Sequence, residues 1–210
     1  MRRFVFAIAL LAIASAVVAF TGSQLYRFLA INEPVGGTLL VVEGWMVPAE
    51  LDGALIPLRA GHYQLIVTSG GPLYDAWHSE GPATFAERAA AYLNGFLTDK
   101  PVVPVPAPDT PTDRTYTSAV AVREWLKASH VTVTSLDVFS WGPHARRSRD
   151  LYRLAFGPQV QVGVFAAEPA AGGFDAWYRT SYATEEMLKE LAGYIWIKCC
   201  FWPSSSGSGS

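Results

Sequence analysis

Cysteine is scarce: of 210 residues only Cys199 and Cys200 are cysteine, and they are adjacent. Neighbouring cysteines pair only through a small strained ring, so a staple between them is not expected, and a cross-link to another chain or plain burial is. No C-x-x-C and no Cys/His ligand spacing occurs, which excludes thiolate-held zinc; no metal is expected. An excess of one charge is also lacking. Sixteen basic and eighteen acidic residues leave a net charge of −2, so there is no basic footprint and nucleic acid is not an expected partner. No G-x-G-x-x-G follows a strand and no P-loop is present, so dinucleotides and nucleoside triphosphates lack their phosphate cradle. An adenosyl ligand stays open by fold analogy alone, and no cofactor is assigned. A G-x-S-x-G nucleophile elbow is missing too.

Apolar residues, by contrast, make up half of the chain, and seven residues are tryptophan. The length suits one sizeable domain. After Arg2 and Arg3 comes a run without charge, Phe4 to Phe20. It is at the lower limit for a spanning helix and slightly long for a signal-peptide core, and Ala14-Ser15-Ala16 would serve as a cleavage site. Continuation of the run through Val17, Val18 and Phe20 favours an uncleaved anchor. The arginines before it are expected to stay cytoplasmic, which makes the chain a single-pass membrane protein with its domain facing the periplasm or exterior. The expected organisation is an anchor over 1–30, a linker over 31–37, one domain over 38–202, and a flexible tail or linker scar over 203–210.

Within the domain, Thr38 to Glu43 is a continuous apolar run, the mark of a strand buried on both faces, and it ends in Glu43-Gly44. Pro48 to Gly61 reads as a helix in which Pro57 predicts a kink or early stop. Gln64 to Thr68 is a second strand running into Ser69-Gly70-Gly71, where glycines let backbone approach a ligand. Tyr74 to Gly81 reads as an exposed aromatic loop, Pro82 to Leu97 as a helix, and Pro101 to Val105 as a third strand. Asp113 sits where a cap belongs for a helix over Thr115 to Lys127. Ser135 to Ser140 and Gln159 to Phe165 are the fourth and fifth strands, and a last helix runs from Thr184 to about Trp196. Its end, LAGYIWIKCCFW, is expected to pack on the domain or lie at a bilayer surface. Strands alternating with helices predict an α/β, Rossmann-like, mostly parallel five-stranded sheet with helices on both faces, behind one N-terminal transmembrane helix.

The most informative stretch is Leu136 to Arg153, a strand breaking at Trp141-Gly142-Pro143 into a helix that carries His144, Arg146, Arg147, Arg149 and Arg153. Helical spacing puts Arg146, Arg149 and Arg153 on one face and His144, Arg147, Leu151 and Leu154 on the apolar one. Arg147 beside His144, near free backbone N–H groups, suits an anion. Polar residues therefore follow four strand ends: Glu43, Ser69 to Gly71, Asp113 to Thr115, and His144 to Arg147. Ligands bind at that rim of an open α/β sheet.

Four of these motifs, Val42-Glu43-Gly44, Thr68-Ser69-Gly70-Gly71, Arg114-Thr115-Tyr116-Thr117-Ser118-Ala119 and His144-Ala145-Arg146-Arg147, occur in the order seen in the SanA/ElyC/YdcF family of bacterial envelope proteins, domain-of-unknown-function family 218. The chain resembles that family from about Thr38 to Phe165. Arg114 stands where the family commonly has Ser, and Ser118 where it has Asn, which removes an amide from the helix start. The resemblance implies a Rossmann-like domain, peptidoglycan-related envelope roles and lipid-carrier metabolism, with no settled reaction.

Two functions follow as expectations. One is an enzyme, a hydrolase or transferase, acting on an anionic or phosphorylated cell-envelope precursor, a peptidoglycan, lipid-carrier or other glycolipid ligand. Here His144 is the general acid or base, and Glu43 or Asp113 orients it or a water. Gly44, Ser69, Gly70, Gly71, Arg114, Thr115, Ser118 and Arg147 bind the ligand. The other is a non-catalytic tethered module that presents Tyr74 to Trp77 and Trp177-Tyr178 to envelope-synthesis proteins.

Overall fold

A computed structural model describes residues 24–60, 63–73, 81–97 and 100–203, together with residues 6, 13 and 22. The expected anchor Phe4 to Phe20, apart from Phe6 and Ile13, lies outside the described residues. So do Gly61, residues 74–80 of the aromatic loop, and the tail from Ser204. Among the described residues no helix is long and apolar enough to cross a membrane.

Five strands form one parallel sheet: β1 Leu39–Glu43, β2 Leu65–Gly70, β3 Val102–Pro106, β4 Ser135–Trp141 and β5 Gln161–Ala167, in the order β3-β2-β1-β4-β5. The chain builds outward from β1 to β3, then returns to β1's other side for β4 and β5. Strand order thus reverses between β1 and β4, and the crevice of a doubly wound sheet opens at that reversal. The apolar runs lack alternation because both faces are covered. Leu40, Val42 and Phe139 point to one layer, where they meet Leu51, Leu55 and Leu58 of the first helical region, Leu93, and Met187. Leu39, Val41, Leu136 and Val138 point to the other, against Val122, Leu126, Tyr152 and Ala155.

The first helical region is broken, as Pro57 requires. It runs as α1 Pro48–Leu51, a 3-10 turn Asp52–Ala54, and α2 Leu55–Arg59, so the proline falls in α2's opening turn, where a missing N–H costs nothing. Helix α3, Phe85–Asn94, starts on a capping box: Thr84 accepts from the Glu87 amide while Glu87 accepts from the Thr84 amide. Helices α4, Arg114–Ala128, and α5, Ala145–Phe156, cover the second layer, and α6, Ser181–Cys199, closes the rim.

Three expectations need correction here. Leu151 is buried as expected, but so are Ala145, Ser148, Arg149, Tyr152 and Ala155 of α5, while Leu154 is exposed. His144 belongs to a 3-10 turn, Gly142–His144, whose tighter winding rotates the face that follows it. Arg149 tolerates burial because Glu33, from the segment that pairs with β5, accepts from its guanidinium. Gly44 does not open onto a ligand cavity: a Cβ on it would collide with the Phe85 carbonyl oxygen, and one on Gly70, which does line the rim cavity, would lie 2.6 Å from the Phe85 Cβ. Their bareness is used to seat the start of α3. Cys199 and Cys200, finally, are bonded to each other, at the point where the chain leaves α6 and its backbone turns non-helical.

Candidate functional site

The period of two along a strand places Glu43 on the same face as Leu39 and Val41. In register beside it stand Ser69 on β2 and, one step past the Val42–Phe139 pair, Ser140 on β4. This row closes the second layer at its C-terminal rim, directly over α5, whose Ser148 and Tyr152 lie one turn apart. Glu43 is 2% exposed, and its carboxylate accepts from Ser140 Oγ at 2.6 Å and from Ser148 Oγ at 2.9 Å. Ser69 Oγ lies 3.0 Å from the Tyr152 hydroxyl. Burial first, and the neighbouring Glu43 carboxylate second, push the Tyr152 phenol far above its ordinary range, so it stays a neutral hydrogen-bonding group. An unpaired carboxylate at this depth would be costly, and the hydroxyls are what make it tolerable.

A cavity of about 640 Å³ opens above this floor, at the reversal of strand order. Glu43 lines it from β1 and Ser69, Gly70 and Gly71 from β2. Asp113, Arg114, Thr115 and Ser118 line it from the start of α4, and His144 and Arg147 from the corner after β4. Of the residues singled out in the sequence, Gly44 stands apart, its amide donating to the Ser69 carbonyl at 2.7 Å.

The cavity's most connected group is a residue that strand-end reasoning missed. Glu190 of α6 is 3% exposed, and its Oε2 lies 2.8 Å from His144 Nδ1. Arg147 grips the same carboxylate with two prongs, Nε to Oε2 at 2.9 Å and Nη2 to Oε1 at 3.0 Å. On the far side of the imidazole, Nε2 lies 3.1 Å from Thr115 Oγ1. Arg147 Nη2 also approaches His144 Nδ1 at 2.8 Å. Nδ1 thus faces both the Glu190 carboxylate and an Arg147 N–H; in the tautomer that donates its Nδ1 proton to Glu190, Nε2 is the acceptor from Thr115. Burial alone would raise the Glu190 carboxyl; His144 and Arg147 outweigh it and hold it down at about 2. Glu190 is therefore ionised at any ordinary pH. The indole of Trp45 stands edge-on to the imidazole, 5.3 Å between centroids, and walls it.

The orienting role expected of Glu43 or Asp113 thus falls to Glu190. Asp113 is exposed, occupies the left-handed region at φ 54°, and makes no side-chain cap to α4. Arg147, expected as the anion's partner, has its charge matched by Glu190. Arg114, exposed at the cavity mouth, has no ion-pair partner among the described residues, and the first amide of α4 bonded back into the helix is that of Thr117. The amides of Arg114, Thr115 and Tyr116 are left directed out of the helix start. Glu190 did carry a signal: it follows Ala183 and Met187 along the buried stripe of α6, and a charge on such a stripe requires a partner.

No protein-family model, curated protein or solved structure matches the chain. Among the described residues no group of three or more His, Cys, Asp or Glu is placed to hold a metal ion.

Proposed function

We propose that this protein is a membrane-anchored envelope protein whose rim cavity binds, and acts on, an anionic or phosphorylated cell-envelope precursor. The anchor is Phe4 to Phe20, and the domain faces the periplasm or exterior. The observation that carries the reading is an imidazole held between an ionised carboxylate and a hydroxyl inside a cavity at the crevice of an α/β sheet. Such an imidazole moves a proton between a reacting group and its acceptor while the carboxylate stabilises the charged form. Anion recognition falls to Arg114 and the free amides at the start of α4, a helix of 15 residues whose dipole favours negative charge there. Ser118 and Gly71 complete that wall. The motif order shared with the SanA/ElyC/YdcF family supports an envelope role for the ligand.

The test is a melting-temperature screen of the detergent-solubilised full chain against polyprenyl phosphates, cell-wall precursors and nucleosides, since a ligand selective for the native state stabilises it. A phosphorylated envelope precursor should raise the melting temperature of the wild type and fail to raise that of Arg114→Ala. An equal response in both, or a response to nucleosides alone, would sink the reading.

A further inference from the structure

Thr115 is placed where a nucleophile belongs. Its Oγ1 lies 3.1 Å from His144 Nε2, whose other nitrogen lies 2.8 Å from Glu190, and it faces the cavity from the opening turn of α4. Carboxylate, imidazole and hydroxyl in this order form the relay that activates a hydroxyl, recognised by geometry and roles whatever the fold or chain order. Arg114 lines the same cavity, and the amides of α4's first turn have no backbone acceptor among the described residues, so both are donors available to charge that develops on a tetrahedral or pentavalent centre. The hydroxyls of Ser69, Ser140 and Ser148 are instead held within the floor network by Tyr152 or Glu43.

We propose that Thr115 is the catalytic nucleophile of this cavity, attacking the phosphorus of a phosphate ester to give a covalent phosphothreonine intermediate. The proposal rests on the anion-binding reading and names its reaction step. As Thr115 Oγ bonds to phosphorus, its proton passes to His144 Nε2, and Glu190 stabilises the imidazolium. The bond from phosphorus to the leaving oxygen breaks, and that oxygen takes the proton from Nε2. A water or an acceptor hydroxyl then attacks phosphorus, giving its proton to Nε2; the bond to Oγ breaks, and Oγ recovers the proton. The role of Arg147 is positional, since its two-pronged grip keeps Glu190 ionised and aimed at Nδ1.

A fluorophosphonate probe tests this without the natural substrate, because an activated hydroxyl displaces its fluoride. The full chain in detergent is incubated with the probe, and the adduct is located by peptide mass mapping. One adduct is expected, on Thr115. It should be absent in Thr115→Ala, retained in Thr115→Ser, and formed at least ~100-fold more slowly in His144→Ala, the scale of general-base assistance. Wild-type chain that melts cooperatively yet takes no adduct overturns the proposal, as does equal labelling of Thr115→Ala or His144→Ala. Inorganic phosphate separates the two readings. If it raises the wild-type melting temperature while no adduct forms, the covalent step falls and the anion site stands. If the adduct forms on Thr115 but phosphate neither raises the melting temperature nor slows labelling, the anion site falls and the nucleophile stands.

Discussion

Two buried carboxylates at opposite ends of β4's neighbourhood are satisfied in different ways. Asp137, fully buried in β4, accepts from the Val35 amide at 2.7 Å, the Gly37 amide at 3.0 Å and the Tyr63 hydroxyl at 2.8 Å. The sheet packs closely on it: a Cβ on Gly163 would collide with its Oδ1. Glu190, as deeply buried, is satisfied by an imidazole and a guanidinium that border a cavity. Backbone donors fix a carboxylate as a stitch, here tying the segment before β1 to the sheet. Partners that can themselves exchange protons, set beside open space, make it part of a relay. Burial of a charge therefore says little about function until the chemistry of its partners is known.

Removing the stitch should have the largest effect on stability. Asp137→Ala strands two amides and a tyrosine hydroxyl, and should cost roughly 4 kcal/mol in urea unfolding, while folded protein keeps its Thr115 reactivity. Reactivity lost in step with the Asp137 side chain, at conditions where the variant is folded, would erase the distinction between the two sites.

Glu190→Gln should cost less stability, about 3 kcal/mol as one partner of a buried ion pair is removed, and should abolish labelling. It also has a pH signature. A carboxyl held at about 2 in the fold, below its ordinary value near 4.5, contributes fully above the ordinary value and loses that contribution as pH falls toward 2. Wild-type stability should therefore drop between pH 4.5 and 2 more steeply than that of Glu190→Gln. Parallel curves would mean that the native carboxyl is not depressed. The smallest effect belongs to the floor: Ser148→Ala removes one of two hydroxyl donors to Glu43 and should cost about 1–2 kcal/mol.

The sheet could be read from the sequence because a strand buried on both faces has only one pattern, and the runs Thr38 to Glu43 and Ser135 to Ser140 show it. The rim was visible for the same reason: polar residues that end apolar runs must sit at strand ends, and four such groups brought most of one cavity wall into view. What could not be read was pairing across the chain. Glu190 lies 46 positions after His144, and no local pattern in the chain links the two. Helical spacing counted from His144 gives α5 the wrong phase because the 3-10 turn ahead of it breaks helical periodicity. Gly44 looks like a ligand-facing glycine until the start of α3 is laid against it, a contact that depends on tertiary packing alone.

Nitrogen NMR of the His144 ring is the most direct test of the account, since it reports which nitrogen carries the proton. The relay predicts a strongly hydrogen-bonded Nδ1 proton, a bare Nε2 in the neutral ring, and loss of that proton signal in Glu190→Gln. A neutral ring protonated at Nε2, or one whose signals ignore the Glu190 substitution, would contradict it.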